Sequence, residues 1–236
     1  MNQESSLWSD AWRRLLANKA AVAGGIILLV LIFLAIFAPW IAPHSYSYQN
    51  LELGAQPPSS KFLLGTDTLG RDLFSRILYG ARVSLLVGFV ATSVALVIGV
   101  SWGIVAGYFG GRIDSVMMRI VDVLYGLPFI IFIILLMVIF GRNIWLLFGA
   151  IGAVEWLTMA RIVRGQVLTV KTQEYVLAAQ AMGVSNIQMF RKHIYPNILG
   201  PIAVYATLTI PQVMLLEAFL SFLGLGIQPP MSSWGT

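Results

Sequence analysis

The chain has no cysteine, which excludes a disulfide framework, a thiolate metal cluster and a cysteine nucleophile. Its two histidines, His44 and His193, are too few for a histidine metal site. Charge is also scarce: Asp, Glu, Lys and Arg make up 11% of 236 residues, less than half of the roughly 25% with which a soluble domain covers its surface. A soluble enzyme is therefore excluded. No lysine follows a glycine, so there is no Walker A phosphate loop, and no histidine-glutamate metalloprotease motif is present. No serine nucleophile elbow is expected. The chain should need no cofactor and should not hydrolyse ATP alone. A net charge of +5 raises nucleic acid as a partner, but no basic run with interleaved aromatics supports one.

Apolar residues dominate instead, at 58% of the chain with a mean hydropathy of +0.83. A spanning helix needs about 20 apolar residues to cross about 30 Å of hydrocarbon. Uncharged runs of that size occupy 20–42, 83–111, 123–141 and 194–216, and 143–160 is a fifth candidate interrupted by Glu155. The first run, 23 residues long, exceeds the roughly 7 to 15 of a signal-peptide core and reads as an uncleaved anchor. The fold class predicted is all-α, a polytopic membrane helical bundle with five spans.

The basic residues choose the orientation. Arg13, Arg14 and Lys19 precede the first span, Arg112 and Arg119 lie between the second and third, and Arg161, Arg164, Lys171, Arg191 and Lys192 follow the fourth. With the N-terminus inside, ten basic residues are cytoplasmic, against five outside, namely Lys61, Arg71, Arg76, Arg82 and Arg142. Residues 1–19 are then a cytoplasmic segment, 20–42 the anchor, 43–82 an external loop, 83–236 the core, and 163–197 its large cytoplasmic loop.

Within the external loop, Asp67 and Arg71, and Asp72 and Arg76, are acid-before-base pairs at the helical four-residue spacing, with Leu69, Leu73, Ile77 and Leu78 forming an apolar face. A short amphipathic helix is predicted, either at the outer membrane surface or packed on the protein's own spans. In the cytoplasmic loop, Glu174 to Met182 reads as helix, and Gly183 suits a left-handed end. Ser185-Asn186-Ile187-Gln188 reads as a capping box opening a second helix that Pro196 stops.

At these residues the chain resembles permease subunits of bacterial ATP-binding-cassette importers, specifically the C-type subunit of the oligopeptide and dipeptide branch. Ala178, Ala179, Gly183 and Pro196 match that family's loop of glutamate-alanine-alanine, three residues, glycine, nine residues and isoleucine-x-leucine-proline. Leu177 replaces the glutamate, and His193 and Tyr195 replace the isoleucine and leucine. Leu64 to Arg82 and Phe222 to Thr236 resemble the peptide branch more closely than sugar or amino-acid permeases. The resemblance implies a type I importer permease fold in the bacterial inner membrane. It implies four kinds of partner: a paralogous permease as heterodimer, two ATP-binding subunits, an external binding protein and a peptide substrate. The loop carrying Glu174, Ala178, Ala179, Gly183 and Pro196 would dock on an ATPase subunit. Family members continue into a sixth span, absent here. The rival class is a self-contained secondary transporter or channel, for which paired repeats or ionisable relays would be needed and none is visible.

Three acids lie in apolar surroundings. Asp122 is expected to pair with Arg119 three residues earlier, whereas Glu155 and Glu217 either touch the translocation path or hydrogen-bond between helices. Pro128 and Pro211 each remove a helix hydrogen bond. Gly99, Gly103, Gly107 and Gly111, four residues apart, form one small-residue face, for packing within the subunit or against a second permease.

Overall fold

The computed structural model describes residues 7–141 and 143–236. Arg142, one of the five basic residues expected outside, is not among them, nor is the start of the N-terminal segment. Every named element among the described residues is a helix, with a single isolated β-bridge and no named strand. They divide into two compact units.

The first unit runs to Val83 and includes Pro229–Trp234. It contains α1 (Leu7–Ala17), α2 (Lys19–Ile41) and the first turns of α3 (Leu73–Phe109). Asn18 separates the first two helices, its side chain accepting from the N–H groups of Ala20 and Ala21 as the N-cap of α2. The amphipathic helix expected from Asp67 does not form before Leu73, and the helix that begins there is the opening of α3 rather than a separate element. The physical reason is local. Gly70 takes a φ of 69° and Thr66 pairs with Asp72 across a tight turn. Asp67 accepts from the N–H groups of Leu69 (2.9 Å) and Arg71 (3.0 Å), spending on the turn the carboxylate that a helix would leave outside. Asp72 then caps α3, taking hydrogen bonds from the Ser75 N–H and hydroxyl. The Asp67–Arg71 pair forms at 2.7 Å, but Arg76 turns to Asp67 at 3.9 Å rather than to Asp72. Burial by itself would raise the Asp67 pKa, yet the hydrogen bonds from Arg71 and Leu69 outweigh it and hold the carboxyl below its ordinary value. Two blocks that carried the family resemblance meet here: Trp234 Nε1 donates to the Ile77 carbonyl at 3.2 Å, and Ser233 and Trp234 lie against Gly80.

The second unit runs from Ser84 to Gln228 with the last two residues. Its elements after α3 are α4 (Gly111–Tyr125), α5 (Phe129–Phe140), α6 (Ile144–Lys171), α7 (Glu174–Ala181), α8 (Asn186–Met189), a π-helical turn (Phe190–Ile194) and α9 (Tyr195–Phe222). Three glycines of the predicted face pack on α6. A Cβ at Gly99 would lie 2.6 Å from Met159 Cβ, at Gly103 2.5 Å from the Ala160 carbonyl oxygen, and at Gly107 2.9 Å from Val167 Cβ. Gly111 departs from this face: it opens α4 with φ 54° and has open space around it. Gly99-Val100-Ser101-Trp102-Gly103 does spell the letters of a serine elbow, but it lies in mid-helix with the Ser101 hydroxyl donating to the Val97 carbonyl at 2.7 Å. The sharp strand-to-helix turn such an elbow needs is not there.

The third predicted span, 123–141, is broken. Helix α4 ends at Tyr125, α5 starts at Phe129, and the pair bends by 79°. Pro128 has no N–H to continue the ladder, so the chain changes direction instead of kinking. At 12 residues, α5 covers only about 18 Å. Among the described residues four helices are long and apolar enough to cross a membrane, and five crossings result if the bent pair counts as one. Packing shows that it does. Successive glycines from 99 to 107 meet successive residues from 156 to 167, so α3 and α6 run parallel. A chain leaving one and entering the other in the same direction must recross in between. Helix α9 returns antiparallel: Phe190, just before it, packs on Tyr108 at the end of α3, while Ile210 and Met214 further along α9 meet Gly88 earlier in α3.

Candidate functional site

The loop singled out from the sequence is a short helical hairpin at the end of the bundle where α3 and α6 terminate. Helix α7 follows Thr172 and Gln173, and its first residue, Glu174, is exposed. Gly183 closes it at φ 78°, the left-handed conformation expected. Ser185 stands at the N-cap of α8, but its side chain makes no capping bond, so the capping box is not formed. Pro196 does not stop the second helix. The chain passes from α8 through the π-helical turn into α9 as one path of 37 residues, Asn186–Phe222. Pro196 falls in the first turn of α9, where a missing N–H costs little.

The two alanines face different ways. Ala179 is buried with Val176, Met189 and Ile194 in the cluster that joins the hairpin to Val163 and Val167 of α6 and Ile198 of α9. Ala178 is exposed, as are Gly183 and Pro196. Near Ala178 the hairpin also exposes the apolar side chains of Leu177, Met182 and Ile187, at 51, 77 and 72%, beside the polar Glu174 and Gln180. Long-range contacts that no local spacing reveals hold the hairpin on the bundle. Tyr108 donates its hydroxyl to the Asn186 carbonyl at 2.7 Å, and Lys171 Nζ donates to the carbonyls of Tyr108 (2.7 Å) and Gly107 (3.3 Å), satisfying groups at the C-terminus of α3. Asp122 pairs with Arg161 at 2.8 Å, not with Arg119. Arg164 grips Asp114 through two parallel hydrogen bonds of 2.5 Å. Sequence reading missed both pairs, because their partners lie 39 and 50 residues apart.

A cavity of about 650 Å³ opens beside the α4–α5 break, walled also by α6 and α9. Glu155 lines it with Thr158 from α6 and Gln212 from α9, and the rest of the wall is aromatic and aliphatic. Glu217 does not line it. That acid is fully buried, and the Ser221 hydroxyl donates to its Oε1 at 2.6 Å. The structure thus separates two acids that the sequence treated alike. Gln212 stands one residue after Pro211, where α9 lacks a backbone donor. Among the described residues no group of three or more His, Asp or Glu is arranged to hold a metal ion.

Comparison with known proteins gives the same picture. Residues 99–236 match the family described as binding-protein-dependent transport system inner membrane component, and residues 6–58 match the N-terminal transmembrane domain of oligopeptide transport permease C. The dipeptide transport system permease protein of Bacillus subtilis (strain 168) is 52% identical over 230 residues, covering 98% of this chain and 72% of its own. The oligopeptide transport system permease protein of Escherichia coli (strain K12) is 49% identical over 232 residues, 98% of this chain and 77% of its own. The glutathione transport system permease protein of Pectobacterium atrosepticum is 39% identical over 232 residues, with 97% and 76% coverage. The resemblance read from the loop and the two flanking blocks agrees with these relatives. A bundle of apolar helices, an exposed hairpin at one end and a match over more than half the length lead to one conclusion: this chain belongs to the family of inner membrane components of binding-protein-dependent transport systems.

Proposed function

We propose that the chain is the permease subunit of an ATP-driven peptide importer, forming half of the translocation pathway, with a paralogous permease forming the other half. Two ATP-binding subunits and an external binding protein complete the assembly. Relatives named for dipeptide and oligopeptide transport, about half identical over nearly the whole chain, support the peptide substrate. Nothing found favours a self-contained secondary transporter or channel. The absence of a Walker A loop assigns ATP hydrolysis to a partner. The excess of basic residues supports a cytoplasmic N-terminus and a cytoplasmic hairpin, so 1–19 is cytoplasmic, 20–42 the anchor, 43–82 external and 163–197 the coupling loop.

The observation that carries the coupling role is the outward apolar surface of the hairpin, Leu177, Met182 and Ile187, displayed around the small side chain of Ala178. Exposed apolar patches of this kind mark protein contacts, and packed helical surfaces shift as rigid bodies. Glu174 stands at the N-terminus of α7, where its charge suits the helix dipole. Within this reading Glu155 faces the substrate path, and Glu217 supports the packing behind it.

The experiment is peptide uptake by the reconstituted assembly, alongside pull-down of the ATPase subunits. Ala178→Trp places a bulky ring on the docking surface, and Gly183→Val strains the left-handed turn at φ 78°. Both variants should insert normally and lose most uptake. Normal assembly and normal transport by both would refute the docking role.

A further inference from the structure

We propose that Glu155, with Thr158 and Gln212, receives the ammonium group of a peptide inside the membrane cavity. This rests on the peptide-import reading and adds to it the part of the substrate that the permease itself recognises. Glu155 and Thr158 are three residues apart on α6 and so share a face, and Gln212 joins them from α9. Among the described residues, none of these three side chains has a hydrogen bond or an ion pair within the protein. Among the described residues no lysine or arginine lines the cavity; Arg161, the cation over the ring of Tyr125 at its wall, is already paired with Asp122. A lone carboxylate in apolar surroundings is costly until a cation meets it.

The chemistry of the occupant is set by the donor and acceptor inventory. An ammonium group carries three donors and no acceptor, and the site offers a carboxylate, a hydroxyl oxygen and an amide oxygen. Among the described residues a peptide's C-terminal carboxylate finds no positive partner in this wall. Phe129 and Phe132 also line the cavity, and aromatic rings there favour a cation bearing an apolar body. Either the α-amine or a lysine side chain supplies the ammonium.

The test uses the complete transporter in proteoliposomes with its binding protein and three peptides of equal length: one with a free α-amine and uncharged side chains, its N-acetylated form, and an N-acetylated form with one lysine. For each, uptake by Glu155→Gln is divided by wild-type uptake, which cancels selection by the binding protein. The ratio should fall about tenfold for the free amine, the size of a lost charge-assisted hydrogen bond, and stay near one for the acetylated peptide. A fall for the acetylated lysyl peptide as well supports recognition of any ammonium; a ratio near one supports the α-amine alone. Glu155→Asp should recover part of the loss. An equal fall for all three peptides overturns the proposal and assigns Glu155 to helix packing or to a cation of the partner permease. If Glu155→Gln does not assemble, Thr158→Val combined with Gln212→Leu takes its place, and equal ratios there overturn the proposal too. A wild-type transporter that carries none of the peptides refutes the import reading itself.

Discussion

Replacing Gly103 with alanine tests the parallel packing of α3 on α6, from which the number of membrane crossings was deduced. The added Cβ would lie 2.5 Å from the Ala160 carbonyl oxygen and 2.8 Å from Val163 Cβ, where ordinary contact begins at 3.4 Å. The nearest atom belongs to the backbone and cannot swing aside. The helices must therefore separate locally by about 0.9 Å, and the close contacts at Gly99 and Gly107 are loosened with them. Overpacking of this kind costs about 1–3 kcal/mol. Alanine is the better helix former by about 1 kcal/mol, which partly masks the loss. Gly165→Ala removes the ambiguity: Gly165, in the partner helix α6, has nothing within 4 Å of a new Cβ and needs no positive φ, so only the propensity gain applies. Both variants should be unfolded by denaturant in mixed micelles and followed by far-ultraviolet circular dichroism. Gly103→Ala should be the less stable of the two by about 1–3 kcal/mol. A difference below about 0.5 kcal/mol, the scatter of independent sites, refutes close α3–α6 contact at Gly103.

The charged groups give further expected outcomes. A double-mutant cycle on Asp114 and Arg164 should give a coupling of about 1–3 kcal/mol, whereas the more exposed Asp122–Arg161 pair should give less than about 1 kcal/mol. Because the folded-state pKa of Asp67 is lowered, its contribution to stability is complete above the ordinary aspartate value of 3.8 and is lost as pH falls through the lower folded value. Asp67→Asn should therefore lower stability at neutral pH and flatten its decline in acid, measured by thermal unfolding at a series of pH values. A reporter active only in the cytoplasm should work when fused after Lys171 and fail after Ser60; the reverse pattern would overturn the orientation.

Features that depend on runs and local spacing were legible in the sequence. Span length comes from counting uncharged residues, and the glycine face comes from four-residue spacing, which held for Gly99, Gly103 and Gly107 because they share one helix. The left-handed turn at Gly183 was legible for the same reason: a glycine at the end of a helical stretch needs no distant partner to adopt it. The failures came where a local pattern admitted two structures. Asp67 and Arg71 are four residues apart on a helix and also across the turn that forms instead, and only the positive φ at Gly70 and the bridge to Asp72 decide between them. Pro196 can end a helix or sit in its first turn, and the π-helical turn before it allowed the second.

The composition alone determined that this chain lives in a bilayer, because a chain so poor in charged side chains cannot cover its surface toward water. Only the tertiary structure decided the roles of the acids and the alanines. Ala178 and Ala179 are neighbours in sequence, yet about 100° of helical rotation sends one to the surface and the other into the core. Glu155 and Glu217 are both single carboxylates in apolar stretches. One lines a cavity and the other lies fully buried beside Ser221, because which side of a helix meets a void and which meets a neighbour is set by elements folded back from far along the chain.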